Sequence, residues 1–166
     1  MHEIQAAADL SITRASRDDA PAIWAMLEPA FRAGDSYAVD PEISRHAALD
    51  YWFREGNEVW LAGEGLGTYY LRPNQPGPGD HVCNAGFVTA ATARGRGVAR
   101  MMLAHALVRA KEAGYHAMQF NFVLATNTRA LAIWQSHQFD VIGRVPQAFR
   151  HPAEGLVDAL ILYRKL

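Results

Sequence analysis

The chain of 166 residues is long enough for one domain and too short for two cores joined by a linker. Half of it is hydrophobic and a fifth charged, with four Trp, six Tyr and seven Phe, which excludes wholesale disorder. A net charge of -1 excludes a global field that would recruit nucleic acid or an anionic membrane, so any anion site must be local.

Residues 1–9 read as an N-terminal extension, and Met1 to Ala20 mixes Glu3, Asp9, Arg14, Arg17, Asp18 and Asp19 with no apolar core like that of a signal peptide. Leu10 to Ala15 alternates as a short strand. Asp18 or Asp19 then caps a helix running to about Phe31, with Pro21 in its first turn, where a missing N–H does no harm. Gly34, Asp35 and Ser36 break it, and Pro41 with Glu42 opens a second amphipathic stretch reaching Gly56.

Glu58–Ala62 and Thr68–Leu71 flank the glycine-rich segment 63–67, a hairpin signature. A Gly/Pro loop at 73–79 leads to a strand from His81 to Thr89 that is interrupted by Gly86. That glycine suggests a bulge, a close approach by another group, or a tight strand crossing. A helix follows from Gly97 to Gly114, with Ala99, Met102, Leu103, Ala106, Leu107 and Ala110 on one stripe. Ala117–Leu124 is a strand, Asn127–His137 a helix, Phe139–Val145 a strand and Leu156–Arg164 the last strand. Hairpins and helical crossovers together predict an α+β domain with a twisted mixed sheet and helices on both faces.

The longest apolar run, Ala22 to Leu27, is far below the roughly 18 residues of a membrane span. The one cysteine, Cys83, has no disulfide partner, no metal-ligand spacing occurs, and a reducing cytoplasm is the expected setting.

The chemistry concentrates at Arg94-Gly95-Arg96-Gly97-Val98-Ala99-Arg100, between a strand and a helix. Helix-opening N–H groups lack internal partners and carry the positive dipole end, and glycines let phosphate oxygens come close. No Asp or Glu lies between Asp80 and Glu112, whereas Arg94, Arg96, Arg100, Arg109 and Lys111 do. The bland reading is a solvated helix face after a tight turn. A Walker A loop and a dinucleotide fingerprint both fail here, the first for want of Gly-Lys-Ser/Thr, the second because Arg100 stands where a small residue belongs.

Arg94, Gly97 and Ala99 in the pattern Arg-x-x-Gly-x-Ala resemble the pyrophosphate motif of the GCN5-related N-acetyltransferases, the GNAT superfamily. The element order from residue 10 to 166 resembles that domain too. Asn127 and Ala130, with Trp134 and Phe139 beyond, resemble its pantetheine-contacting helix. The resemblance implies an enzyme that moves an acetyl group from acetyl-CoA to a small-molecule amine by direct attack in a ternary complex. It implies that Phe87, Val88 and Thr89 pair their backbone with pantetheine, that Arg94, Gly95, Arg96, Gly97, Val98 and Ala99 wrap the pyrophosphate, and that Asn127 holds the pantetheine arm. Asn127 is equally an ordinary N-cap.

A narrower likeness, carried by residues 81–87, 120–123 and 126–127, is to the subgroup that includes azetidine-2-carboxylate N-acetyltransferases. It implies a small amino or imino acid acceptor touched by Asn84 and Asn121, each of which alternatively satisfies a buried amide. Tyr37 falls where the family's acceptor pocket is walled, or simply packs. Arg150 and His151 meet an acceptor carboxylate or lie in a solvated loop. The family often forms homodimers, although no heptad or unpaired edge argues for one here.

Catalytic residues are left unassigned. Trp134 stands where many members place a Tyr acid, and an indole N–H does not transfer that proton; the alternative is a catalytically silent acyl-CoA-binding sensor or regulatory module. His81, Glu64, Asp80, Tyr115 and His116 are the titratable base candidates. Cys83 beside His81 raises an acyl-cysteine route, against which stands the usual inertness of a lone buried thiol.

Overall fold

The computed structural model describes residues 11–166; the N-terminal extension 1–9 and Leu10 lie outside the described residues. Strand β1 (Ile12–Arg14) leads to a short turn of 3-10 helix, Arg17–Asp19. Ser16 Oγ accepts the Asp18 N–H and the Asp19 carboxylate accepts the Ser16 N–H, so the aspartate reaches back as half of a reciprocal cap. Helix α1 (Ala20–Ala33) follows and ends at left-handed Gly34. Helix α2 (Arg45–Trp52) starts later than its sequence suggests, because Asp40 first closes a turn on Glu42 and Ile43. Ser44 Oγ then caps it at the Ala47 N–H, 3.1 Å away.

Strands β2 (Glu58–Ala62) and β3 (Gly67–Pro73) form the expected hairpin. Then come β4 (Val82–Thr89), α3 (Val98–Glu112), β5 (Ala117–Leu124), α4 (Thr128–Ser136), β6 (Asp140–His151) and β7 (Gly155–Lys165). The seven strands form one sheet in the order β1-β2-β3-β4-β5-β7-β6, antiparallel everywhere except between β4 and β5. The expected mixed sheet of an α+β domain is what is found.

Strand alternation divides the core in two. Tyr69, Leu71, Cys83 and Ala85 face Met102, Leu103, Ala106 and Ala110 of α3 and Trp134 of α4. Val59, Leu61, Tyr70 and Val88 face Ile23, Leu27 and Phe31 of α1 and Trp52 of α2 on the other side. Each fully buried aliphatic side chain contributes about 1.5–3 kcal/mol. Buried Thr68 is satisfied on both counts: it accepts from Trp52 Nε1 at 3.1 Å and donates to the Trp60 carbonyl at 2.8 Å.

Strand β6 runs six residues past the expected end at Val145. Pro146 breaks the local pattern, but the strand carries on through a bulge in which Gln147 takes a positive φ of 50°. Asp158 of β7 accepts from Gln147 N–H (2.9 Å) and Arg144 (2.6 Å), anchoring that irregularity from the neighbouring strand. Arg150 and His151 therefore stand on a strand, not in a loop.

Gly86 marks no bulge in β4. Its register with β3 is regular and it sits opposite Tyr70, whose ring occupies the space a Cβ would take, 2.5 Å from the ring edge. The close approach is by an aromatic side chain.

Candidate active site

Strands β4 and β5 pair only at Val82–Ala117 and Cys83–Met118, then part. A bulge between Phe120 and Val123 of β5, at Asn121 and Phe122, adds a residue on that side and bends the strand. Just past the last paired position Asn84 Nδ2 donates to the Gln119 carbonyl at 3.0 Å, replacing one rung of the lost ladder.

The parting strands leave β4 backbone groups without strand partners. Even-numbered residues of β4 point to β3, since Val82 O accepts from Asn74 N and Ala90 N donates to Leu66 O; His81 O accepts from His116 N, so odd-numbered residues point to β5. Ala85, Phe87 and Thr89 thus turn their N–H and C=O groups into the opening, while Val88 spends its own on β3. The Phe87 carbonyl is already taken: the buried Tyr37 hydroxyl donates to it at 2.7 Å.

At the far end of β4 the chain turns through Gly95 and Gly97, with φ of 79° and 77°, into α3. An added Cβ at Gly97 would meet nothing within 4 Å, so the glycine is needed for its backbone conformation rather than for space. The first helical bond is from Met101 N to Gly97 O, which leaves Val98, Ala99 and Arg100 N–H groups without helical partners. Arg94 and Arg100 line this mouth, joined by Arg129 from α4, whose guanidinium would lie 3.7 Å from a Cβ at Gly95. Arg100 also bonds Ser136 Oγ at 3.0 Å, tying α3 to α4.

One cavity of about 1030 Å³ joins these features. It takes in Tyr37, Asn84, Phe87, Val88, Thr89, Arg94, Gly95, Gly97, Val98, Ala99, Asn121 and Asn127, so most residues singled out from the sequence come together. Arg96 is exposed and stands outside the lining. Arg109 belongs elsewhere, held to Glu58 through two bonds of 2.6 and 3.1 Å, so the basic stretch is split by the fold. Asn127 Oδ1 accepts the Ala130 N–H at 3.3 Å as the cap of α4. Asn121 accepts from Gln119 Nε2 and donates to Asn74 Oδ1 at 2.6 Å.

The floor is aromatic. Phe87 packs on Tyr69 (5.3 Å), Trp134 (5.3 Å) and Phe120 (6.1 Å), and Phe120 stacks on Phe139. None of the base candidates read from the sequence, Glu64, Asp80, His81, Tyr115 and His116, lines the cavity. Among the described residues its lining carries Asp35 and His151 instead, brought in by the α1–α2 connection and the unforeseen length of β6. Burial pushes the Tyr37 and Tyr70 hydroxyls up, reinforced by their neighbouring tyrosines, so both stay protonated donors. Cys83 is fully buried and its thiol is pushed up to about 12 by that burial, which leaves no thiolate for an acyl-cysteine route.

The split parallel pair beside the anion-ready helix leaves room for an extended ligand between the strands. The model of the acetyltransferase (GNAT) family matches residues 20–139. The chain belongs to that family. This GNAT acetyltransferase is 29% identical over 148 residues to the N-acetyltransferase aca1 of Schizosaccharomyces pombe, with 77% of this chain and 71% of that protein covered. A GCN5-related N-acetyltransferase from Kribbella flavida superposes with a TM-score of 0.91 at 40% identity, covering 96% of this chain and 99% of the other. The yncA protein of Salmonella typhimurium, solved with its cofactor acetyl-CoA, shares the fold at 18% identity and a TM-score of 0.81, with 95% and 94% covered. Acetyl-CoA is the acetyl donor of GNAT enzymes.

Proposed function

We propose that residues 10–166 form an acetyltransferase domain that acetylates the amine of a small amino or imino acid, with acetyl-CoA as donor. The observation that carries this reading is the parting of β4 from β5 beside the unpartnered N-terminus of α3. The residues present fit the cofactor: Phe87 and Thr89 offer edge N–H groups to pantetheine, and Gly97, Val98 and Ala99 with Arg94, Arg100 and Arg129 hold the pyrophosphate. Asn127 is spent on its cap through Oδ1, and its Nδ2 is the atom left for the pantetheine arm. Bound there, acetyl-CoA supplies the activated acyl group.

The protein's own contribution is chiefly placement. Edge N–H groups near Phe87 to Thr89 that pantetheine leaves free would face the developing oxyanion, while Tyr37 holds the Phe87 carbonyl. The amine must arrive neutral, and His151 or Asp35 is the group placed to accept its proton, directly or through water. Free thiolate departs without a Tyr acid, since an alkyl thiol has a pKa of about 8.5. Trp134 is integrated into the aromatic floor with Phe87 and Phe120.

The likeness of residues 81–87, 120–123 and 126–127 to azetidine-2-carboxylate N-acetyltransferases supports the acceptor class. A cytoplasmic setting is part of the proposal, on the ground of the single buried thiol. A homodimer is as well, favoured by Val141, Ile142 and Val145 exposed on outer strand β6. The deciding experiment mixes protein and acetyl-CoA with azetidine-2-carboxylate, proline and other small amines and follows free thiol. Amine-dependent release supports the proposal; saturable acetyl-CoA binding without release from any amine refutes it in favour of the silent module.

A further inference from the structure

The end of the cavity on the α1–α2 side is lined by Asp35, Tyr37, Tyr51, Tyr70 and Arg54. Arg54 follows the last turn of α2 and is exposed. Arg54 has no ion pair and no side-chain hydrogen bond among the described residues, as is also true of Arg94 and Arg129 on the phosphate side of the same cavity. Its position beside the end of a helix suits a cation in any case, but its place on the cavity wall is not required by that role.

Two phenols stand with it. The rings of Tyr51 and Tyr70 meet edge to face at 6.4 Å, and Tyr70 is fixed from below by Trp52 at 4.9 Å and by its seat on Gly86. The positive charge of Arg54 reaches Tyr70, working against the burial that raises that hydroxyl's pKa. A guanidinium and two phenol hydroxyls on one wall of the cavity form a donor-rich set that matches a carboxylate in number and charge. Because Tyr70 rests on Gly86, next to Phe87, a ligand held by this set stays within a small molecule's length of the cofactor edge.

We propose that Arg54, with the Tyr51 and Tyr70 hydroxyls, is the carboxylate subsite of the acceptor pocket and makes the enzyme prefer amino or imino acids over amines lacking a carboxylate. The inference rests on the acceptor reading above and goes further by naming the group that recognises the acid. Arg54 is a binding residue; the chemistry at the amine does not pass through it.

The test compares azetidine-2-carboxylate and proline with their carboxamides, in thiol release by wild type, Arg54→Gln and Arg54→Lys. Losing a charge-assisted bond of this kind should raise KM for the acids by about ten- to a hundredfold in Arg54→Gln. KM for the carboxamides should stay near wild type, and Arg54→Lys should recover most of the loss. Equal KM changes for acids and carboxamides, or a wild type that prefers carboxamides, would overturn the subsite while leaving the acetyltransferase reading standing. No thiol release from any amine would overturn both.

Discussion

Replacing Gly86 by alanine isolates the packing on which the acceptor wall depends. The added methyl would lie 2.5 Å from Cε1, 2.7 Å from Cζ and 2.8 Å from the hydroxyl oxygen of Tyr70. Carbon atoms in good contact sit about 3.5–4.0 Å apart, so the ring must move by roughly 1 Å. It has little freedom, being 8% exposed and held against Trp52. Overpacking of this kind costs about 1–3 kcal/mol, and alanine regains about 0.5–1 kcal/mol of backbone entropy in a strand. The net loss is up to about 2.5 kcal/mol, or up to roughly 10 °C in Tm for a chain of this size. In a Tyr70→Leu background the clash disappears and Gly86→Ala should become neutral or stabilising. Urea unfolding of the four proteins gives the coupling energy, expected at about 1–3 kcal/mol. Additive effects would refute the claim that Gly86 exists to seat the ring, as would a Gly86→Ala enzyme whose KM for acceptor is unchanged.

Three further outcomes are expected. Gly97→Glu strains a left-handed position by about 1–2 kcal/mol but fills open space, so the protein should fold and lose acetyl-CoA stabilisation. In wild type that stabilisation is about 2.7 kcal/mol at a hundred times Kd, readable by thermal shift, and an undiminished shift in the variant counts against the phosphate site. Tyr37→Phe strands the Phe87 carbonyl and should cost about 1–3 kcal/mol in urea unfolding; a change below about 0.5 kcal/mol would mean water serves that oxygen equally well. Partial burial pushes Glu58 up, but the bonds from Arg109 and Trp60 and the charges of Arg14 and Arg109 outweigh it and lower its pKa below 4.5. A carboxyl depressed in the folded state adds stability above its unfolded value and loses it as pH falls through the folded one. Unfolding free energies from about pH 6 to about pH 3 should therefore vary less in Glu58→Gln than in wild type.

The local signals were readable where one short segment decides an outcome. Glu58–Ala62 and Ala117–Leu124 were legible as strands because β-branched and aromatic residues fill them between turn residues. The glycines at 95 and 97 marked the start of α3, since a left-handed backbone leaves few other choices. Strand β6 passes its expected end at Val145 because Asp158, more than ten residues on, anchors the bulge that carries it across Pro146. Proximity in sequence groups Arg109 with the phosphate arginines and hides that its turn of α3 faces Glu58.

Composition, periodicity and turn chemistry alone thus determined the order of elements, the mixed sheet and the helix end suited to a phosphate, because each depends on residues a few positions apart. The tertiary structure alone decided which groups share the cavity. It brought Asp35, Arg54, Arg129 and His151 to its walls, committed Tyr37 to the Phe87 carbonyl, and removed Cys83 and the expected bases from reach. Those outcomes depend on where β4 leaves β5, and strand parting is set by contacts between segments far apart in the chain, which no local pattern encodes.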